Sequence, residues 1–135
     1  MKRDCFEMFF DQIPKGTAQM KRTNRKTGAF FKSKKLQATE DLYMDKLKYF
    51  VPSQPLETPI RLELRFFYST KDRKKDGGPK ISRPDCDNVA KLLIDCMTKA
   101  GFWVDDAQIC DLSIEKRWKR GGAMIVVRYE EVFND

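Results

Sequence analysis

Apolar and polar positions alternate along this chain with two different periods, and the change of period marks the elements. Phe6, Met8 and Phe10 alternate with Cys5, Glu7, Phe9 and Asp11, the period of two expected of a strand. Pro14 and Gly16 then open a loop. Ser33 is placed to cap a helix running to about Phe50, with Leu36, Tyr43, Leu47 and Phe50 on one face. Pro52, Pro55 and Pro59 end that helix and hold an extended linker. Ile60, Leu62, Leu64, Phe66 and Tyr68 alternate with Arg61, Glu63, Arg65 and Phe67 in the clearest strand of the chain. After a bend at Gly77-Gly78-Pro79, Asp87 or Asn88 is expected to cap a second helix. Its apolar stripe is Val89, Leu92, Leu93, Cys96, Met97 and Ala100, and Gly101 stops it. Cys110, Leu112 and Ile114 begin another strand. Gly121-Gly122 reads as a hairpin turn, and Ala123, Ile125, Val127 and Tyr129 form the last strand. The order β-α-β-α-β-β predicts one α+β domain over residues 1–135, a mixed β-sheet flanked by two main helices. Phe9, Phe66, Phe67 and Tyr68 are expected in its core.

Composition sets limits on this picture. A chain of 135 residues that is 41% hydrophobic can bury a core without metal or disulfide support. Cys5, Cys86, Cys96 and Cys110 form no CxxC pair and read as reduced thiols. No apolar run approaches the roughly 18 residues of a membrane helix, and the N-terminus lacks an apolar targeting core, so a cytosolic setting is expected. The formal net charge of +7 favours a polyanionic partner, nucleic acid first. Histidine is absent, which removes Ser-His-Asp triads, Cys-His pairs, HExxH zinc sites and any histidine general base.

The basic residues are grouped. From Gln12 to Thr39 there is no acidic residue, while Lys15, Lys21, Arg22, Arg25 and Lys26 fall within it. A second basic loop carries Lys71, Arg73, Lys74, Lys75, Lys80 and Arg83. A solvated loop and a phosphate-gripping arm both fit the first segment; the lack of acidic residues favours the arm. Lys15, Lys21, Arg22, Lys74, Lys75 and Arg83 are the candidate DNA contacts. The run Lys116-Arg117-Trp118-Lys119-Arg120 fits either stacking with phosphate contacts or a tryptophan packed back on its own sheet.

Acidic residues gather between Arg83 and Gln108. Asp85 and Asp87 stand at a helix entrance, where the macrodipole steadies carboxylates and an extended backbone would point residues two apart the same way. Lys91 follows one turn after Asp87, and Asp105-Asp106 follow the helix. The strand after Gln108 offers a way for the second pair to return toward the first. Two carboxylates about 4 Å apart repel by about 4 kcal/mol at an effective dielectric near 20, so such a set needs protons, cations or a metal. Oxygen ligands without histidine suit Mg²⁺, with Mn²⁺ able to substitute. Capping and turn roles for the aspartates, and a solvated role for Lys91, stay open on spacing alone.

The stretch Arg83-Pro84-Asp85-Cys86-Asp87-Asn88-Val89-Ala90-Lys91, then Asp95, then Gly101-Phe102-Trp103-Val104-Asp105-Asp106-Ala107-Gln108 resembles the RusA family of Holliday junction resolvases. The shared pattern is RPDxDNxxK followed by GxxxDDxQ. The resemblance implies a homodimer that nicks four-way DNA junctions in symmetric pairs with Mg²⁺, in recombination and repair, and a bacterial or phage origin. It implies Asp85, Asp87 and Asp106 as catalytic metal ligands and Lys91 as the functional lysine, with Asp105 a weaker match and Asp95 a supporting partner of Lys91. Cys86 stands where the family usually carries an apolar residue, and the arm from Lys15 to Lys35 departs from the common pattern. A nuclease acting on other branched or duplex DNA, and a non-catalytic nucleic-acid-binding protein, are the alternative readings.

Overall fold

In the computed structural model, which describes residues 3–16, 21–23 and 30–133, the strand with the clearest alternation lies inside the sheet. For residues 3, 21–23 and 30–32 only the backbone path is described. The main strands are β1 (Arg3–Phe10), β4 (Ile60–Thr70), β5 (Ile109–Arg120) and β6 (Ala123–Glu131), in the spatial order β1-β6-β4-β5. β1 pairs with β6, and β6 with β4, antiparallel; β4 and β5 run parallel. The sheet is therefore mixed, as expected.

A parallel pair needs a crossover, and helix α2 (Cys86–Ala100) supplies it between β4 and β5. Helix α1 (Lys34–Leu47) packs beside α2. Ile60, Leu62, Leu64 and Phe66 of β4 are fully buried, as are Leu92, Leu93, Cys96 and Met97 of α2. Each such side chain removed from water contributes roughly 1.5–3 kcal/mol. On the other sheet face the intervening residues form ion pairs. Arg61 meets Asp111 and Glu130, Arg65 meets Glu115, and Arg128 meets Glu63. The sheet is thus covered on one face, with α1 and α2 adjacent.

Several expectations need correction. Gly121-Gly122 does not make a hairpin: β4 lies between β5 and β6, and the short link crosses over its end. Gly121, at φ 90°, takes the left-handed turn needed there. A local sequence signal reports that the chain turns but cannot report that a third strand enters the gap. Phe9 is 61% exposed, because the alternation that buries Phe6, Met8 and Phe10 sends it to the other face. Phe67 and Tyr68 are half-buried, and Phe66 alone of the four is fully buried.

The first basic segment is more than a loop, since β2 (Lys21–Thr23) and β3 (Phe30–Lys32) pair antiparallel within it. Arg25 and Lys26 lie outside the described residues, as do the side chains of Lys21 and Arg22. α1 begins where expected, with Ser33 Oγ accepting from Leu36 N at 3.1 Å. It stops at Leu47, and Phe50, beyond it, stacks on Phe6 with centroids 4.4 Å apart.

Candidate nucleic-acid cleavage site

The site grows from the two ends of α2. At its entrance, the loop after β4 is sewn to β5: Gly77 N donates to Trp118 O at 2.8 Å, Trp118 N to Gly78 O at 2.9 Å, and Lys80 N to Lys116 O at 3.0 Å. The Arg83–Pro84 peptide is cis. Asp85 is the N-cap residue, extended at φ −68° and ψ 148°, and its side chain makes no capping hydrogen bond. Its carboxylate is therefore not engaged by the helix. It is 59% exposed, with Arg83 Nη1 at 4.0 Å.

The helix begins at Cys86, earlier than Asp87 or Asn88 had suggested, so Asp87 lies inside the first turn. The extended backbone that would have aligned the two aspartates ends at Asp85. Beyond it each residue turns the direction by about 100°. Asp87, Lys91 and Asp95, four residues apart, lie along one helix face. That face is largely exposed, while Val89, Ala90, Leu92, Leu93 and Ile94 fill the buried side.

At the far end Gly101 adopts φ 101°, and the N–H groups of Gly101 and Phe102 close on Met97 O at 3.2 and 3.1 Å. Phe102 and Trp103 are buried and anchor the reversal. Asp105 then caps a single 3₁₀ turn, Asp106–Gln108, with Oδ1 accepting from Ala107 N at 3.0 Å. Gln108 closes the turn from the other side. Its Oε1 accepts from Val104 N and Asp105 N at 2.9 Å, and its Nε2 donates to Leu56 O and Thr58 O at 2.9 Å. The amide thus pins the Asp105-Asp106 turn to the proline-rich linker.

Asp106 is held above the usual carboxylate range, chiefly by a hydrogen bond with the Asp105 side chain. Desolvation and the charges of Asp105 and Asp95 push the same way, and Lys91 opposes them. A hydrogen bond between two carboxyl groups requires a proton on one of them. Asp106 is therefore within electrostatic reach of Lys91 and Asp95, whereas Asp85 and Asp87 are not among the groups that perturb it.

β5 runs back along α2, and Asp106 lies in the turn that precedes it. Asp87 and Asp95, eight residues apart, are separated by roughly 12 Å of helix rise. The charges of Asp105, Asp95 and Lys91 act on Asp106, and Asp85 and Asp87 stand at the helix entrance. Among the described residues, no group of three acidic or cysteine side chains is positioned to hold one metal ion. The donor chemistry suits a hard divalent cation, while the geometry of one chain leaves the ligand set open.

Beside Asp85 lies a cavity of about 710 Å³, whose walls include Lys15, Lys71, Lys80, Arg83 and Asn88. Among the described residues, Asp85 is the one acidic residue in its lining. Lys15 and Arg83, two of the expected DNA contacts, are exposed at this cavity. Lys74 and Lys75 are exposed on the neighbouring loop, with Lys75 Nζ 5.2 Å from the centre of the Trp118 ring. Trp118 is half-buried beneath Lys75 and Lys80, which gives its ring a cation–π role toward this protein's own lysines.

Sequence reasoning missed the roles of three residues. Gln108 carried a signal, because Asp-x-x-Gln is the spacing of a capping box. Lys80 and Lys116 carried none, being two basic residues among many. Lys80 is buried despite its place in the basic loop.

The chain is a basic α+β domain in which Asp85, at the entrance of α2, borders a lysine- and arginine-lined cavity. A family model described as Endodeoxyribonuclease RusA matches residues 11–129. The chain belongs to that family. It is 45% identical over 58 residues to the crossover junction endodeoxyribonuclease rusA of Lactococcus phage r1t, covering 43% of this chain and 44% of that protein. To the crossover junction endodeoxyribonucleases RusA of Escherichia coli and of Enterobacteria phage 82 it is 39% identical over 57 residues, covering 42% of this chain and 48% of each. The chain thus spans about half the length of the curated relatives it matches. Among the described residues, no helix is long and apolar enough to cross a membrane.

Proposed function

We propose that this protein is a Mg²⁺-dependent endodeoxyribonuclease that resolves four-way DNA junctions by paired, symmetric nicks in recombination and repair. The observation that carries the reading is Asp85, uncommitted at the entrance of α2, bordering a cavity whose charge is almost wholly positive, with Asp87 and Lys91 following along the helix. The names of the relatives point the same way.

In this reading Lys15 and Arg83 grip backbone phosphates at the cavity, and Lys74 and Lys75 extend the contact along the adjacent loop. Asp85, Asp87 and Asp106 would hold the divalent ion, whose contribution is charge neutralisation on the scissile phosphate. Lys91, placed between the two acidic groups, offsets the negative charge that builds on the phosphate in the transition state. The three ligands do not meet within one chain, so the reading requires them to close around the ion on DNA binding or on pairing of two copies. A homodimer also suits the substrate, because two equivalent sites related by a two-fold axis match a junction of the same symmetry.

The test is incubation with a synthetic four-way junction and a matched linear duplex, with Mg²⁺ and with chelator. Junction cutting that needs Mg²⁺ and exceeds duplex cutting at least about tenfold, a transition-state difference near 1.4 kcal/mol, supports the reading. Equal cutting of both substrates leaves a general nuclease, and binding without nicking leaves a nucleic-acid-binding protein.

A further inference from the structure

Two ammonium groups converge on the three residues that lead into Asp85. Lys80, only 8% exposed, donates from Nζ to Ser82 O at 3.1 Å, Ser82 Oγ at 2.6 Å and Arg83 O at 2.6 Å. Lys116, from the middle of β5, donates to Ser82 O at 2.7 Å and Pro84 O at 2.6 Å. The carbonyls of residues 82, 83 and 84 are thus all held by lysines, and Ser82 O is shared by two. Two like charges on one acceptor is a costly arrangement that a loop free to choose its path would avoid. The Tyr68 and Trp118 rings help to support it, with Lys80 Nζ 4.8 and 5.0 Å from their centres.

Lys80 lines the cavity, yet it has no proton left for a ligand. A lysine ammonium has three N–H donors, and three acceptors take them. The side chain is therefore unsuited to grip DNA, whatever its place in a basic loop. What it fixes is the path of residues 82–84, and through them the position of Asp85, whose own side chain is not tied to the helix.

We propose that Lys80, with Lys116 as its second, is a positioning residue for Asp85: the pair locks the entry loop to β5 and so presents the Asp85 carboxylate to the cavity. The idea rests on the reading of Asp85 as part of the cleavage site. It goes beyond that reading in separating one lysine of the basic loop from those that touch phosphate.

The test uses the full chain with Lys80→Met, Lys80→Arg, Lys116→Met and Ser82→Ala. Three quantities are read: amide hydrogen exchange of residues 82–88 in metal-free protein, junction affinity and its salt slope without metal, and kcat and KM for nicking. For Lys80→Met, exchange in the entry loop should quicken at least about tenfold, as expected on loss of charge-assisted hydrogen bonds, while the interior of α2 stays protected. kcat should fall by a similar factor, with KM, affinity and salt slope unchanged. Arginine should fail to restore kcat, because its planar fork cannot reach three acceptors set around an ammonium.

Weaker binding with a salt slope lower by about one would make Lys80 a phosphate contact and overturn the proposal. Unchanged loop exchange, or full rescue by arginine, would overturn it too. If Lys80→Met does not fold, Lys116→Met and Ser82→Ala decide: faster loop exchange with a kcat-only loss supports the proposal, and wild-type values in both overturn it. A wild-type chain that nicks no DNA would defeat the proposed function, and loop exchange would still decide the clamp.

Discussion

Asp85 and Asp106 stand in opposite local environments. Asp85 is an N-cap residue that does no capping, so its carboxylate is available, whereas the Asp106 carboxyl is held above the usual carboxylate range, chiefly by its neighbour Asp105. Asp85→Asn or Asp106→Asn is expected to lower the nicking rate by roughly 100-fold or more, the scale seen when one electrostatic stabiliser is removed. Junction binding should survive or tighten, since a negative charge facing phosphate is lost. A nicking assay paired with a metal-free binding titration checks both. The raised pKa of Asp106 has a definite sign. Folding favours its protonated form, so this stabilising contribution is complete below the ordinary carboxylate value and is lost as pH rises through the elevated one. Carboxyl titration by NMR in metal-free protein should place Asp106 above the ordinary range. Asp105→Asn should lower it by removing the neighbouring charge and the acid–carboxylate pairing, and Lys91→Met should raise it further.

The second helix shows how much of one element its own sequence specifies. The apolar stripe from Val89 to Met97 and the stop at Gly101 were legible because they depend on contacts three and four residues apart. Gly101→Ala tests the stop. A Cβ there would meet Val51 Cγ2 at an ordinary 3.7 Å, so the penalty is that of the left-handed backbone, about 1–2 kcal/mol, read by denaturant unfolding. The start of the helix was misplaced because Asp85, Asp87 and Asn88 are all good capping types, and only the loop's attachment to β5 selects among them. The Asp105 turn was readable as a turn. Its attachment through Gln108 to the linker at Leu56 and Thr58 was not, since those partners lie 52 and 50 residues away.

Across the molecule, charge is sorted by surface. The outer sheet face neutralises itself in ion pairs such as Arg61 with Glu130, while the cavity beside Asp85 keeps its lysines and arginine largely uncompensated. The net charge of +7 is therefore expressed at the cavity beside Asp85. Lys74→Ala and Lys75→Ala should each weaken junction binding and lower the salt slope by about one, measured by titration across salt concentrations. An unchanged slope would remove that loop from the contact surface. The sequence by itself determined the mixed α+β composition of the fold, the positive charge and the acidic motifs, because each is written in local periodicity or simple counting. Tertiary structure alone decided that β4 enters between β5 and β6, that the charges of Lys91 and Asp95 act on Asp106, and that Lys80 faces inward. Those outcomes depend on residues far apart in the chain meeting across a parallel strand pair, and no local pattern encodes which segments will meet.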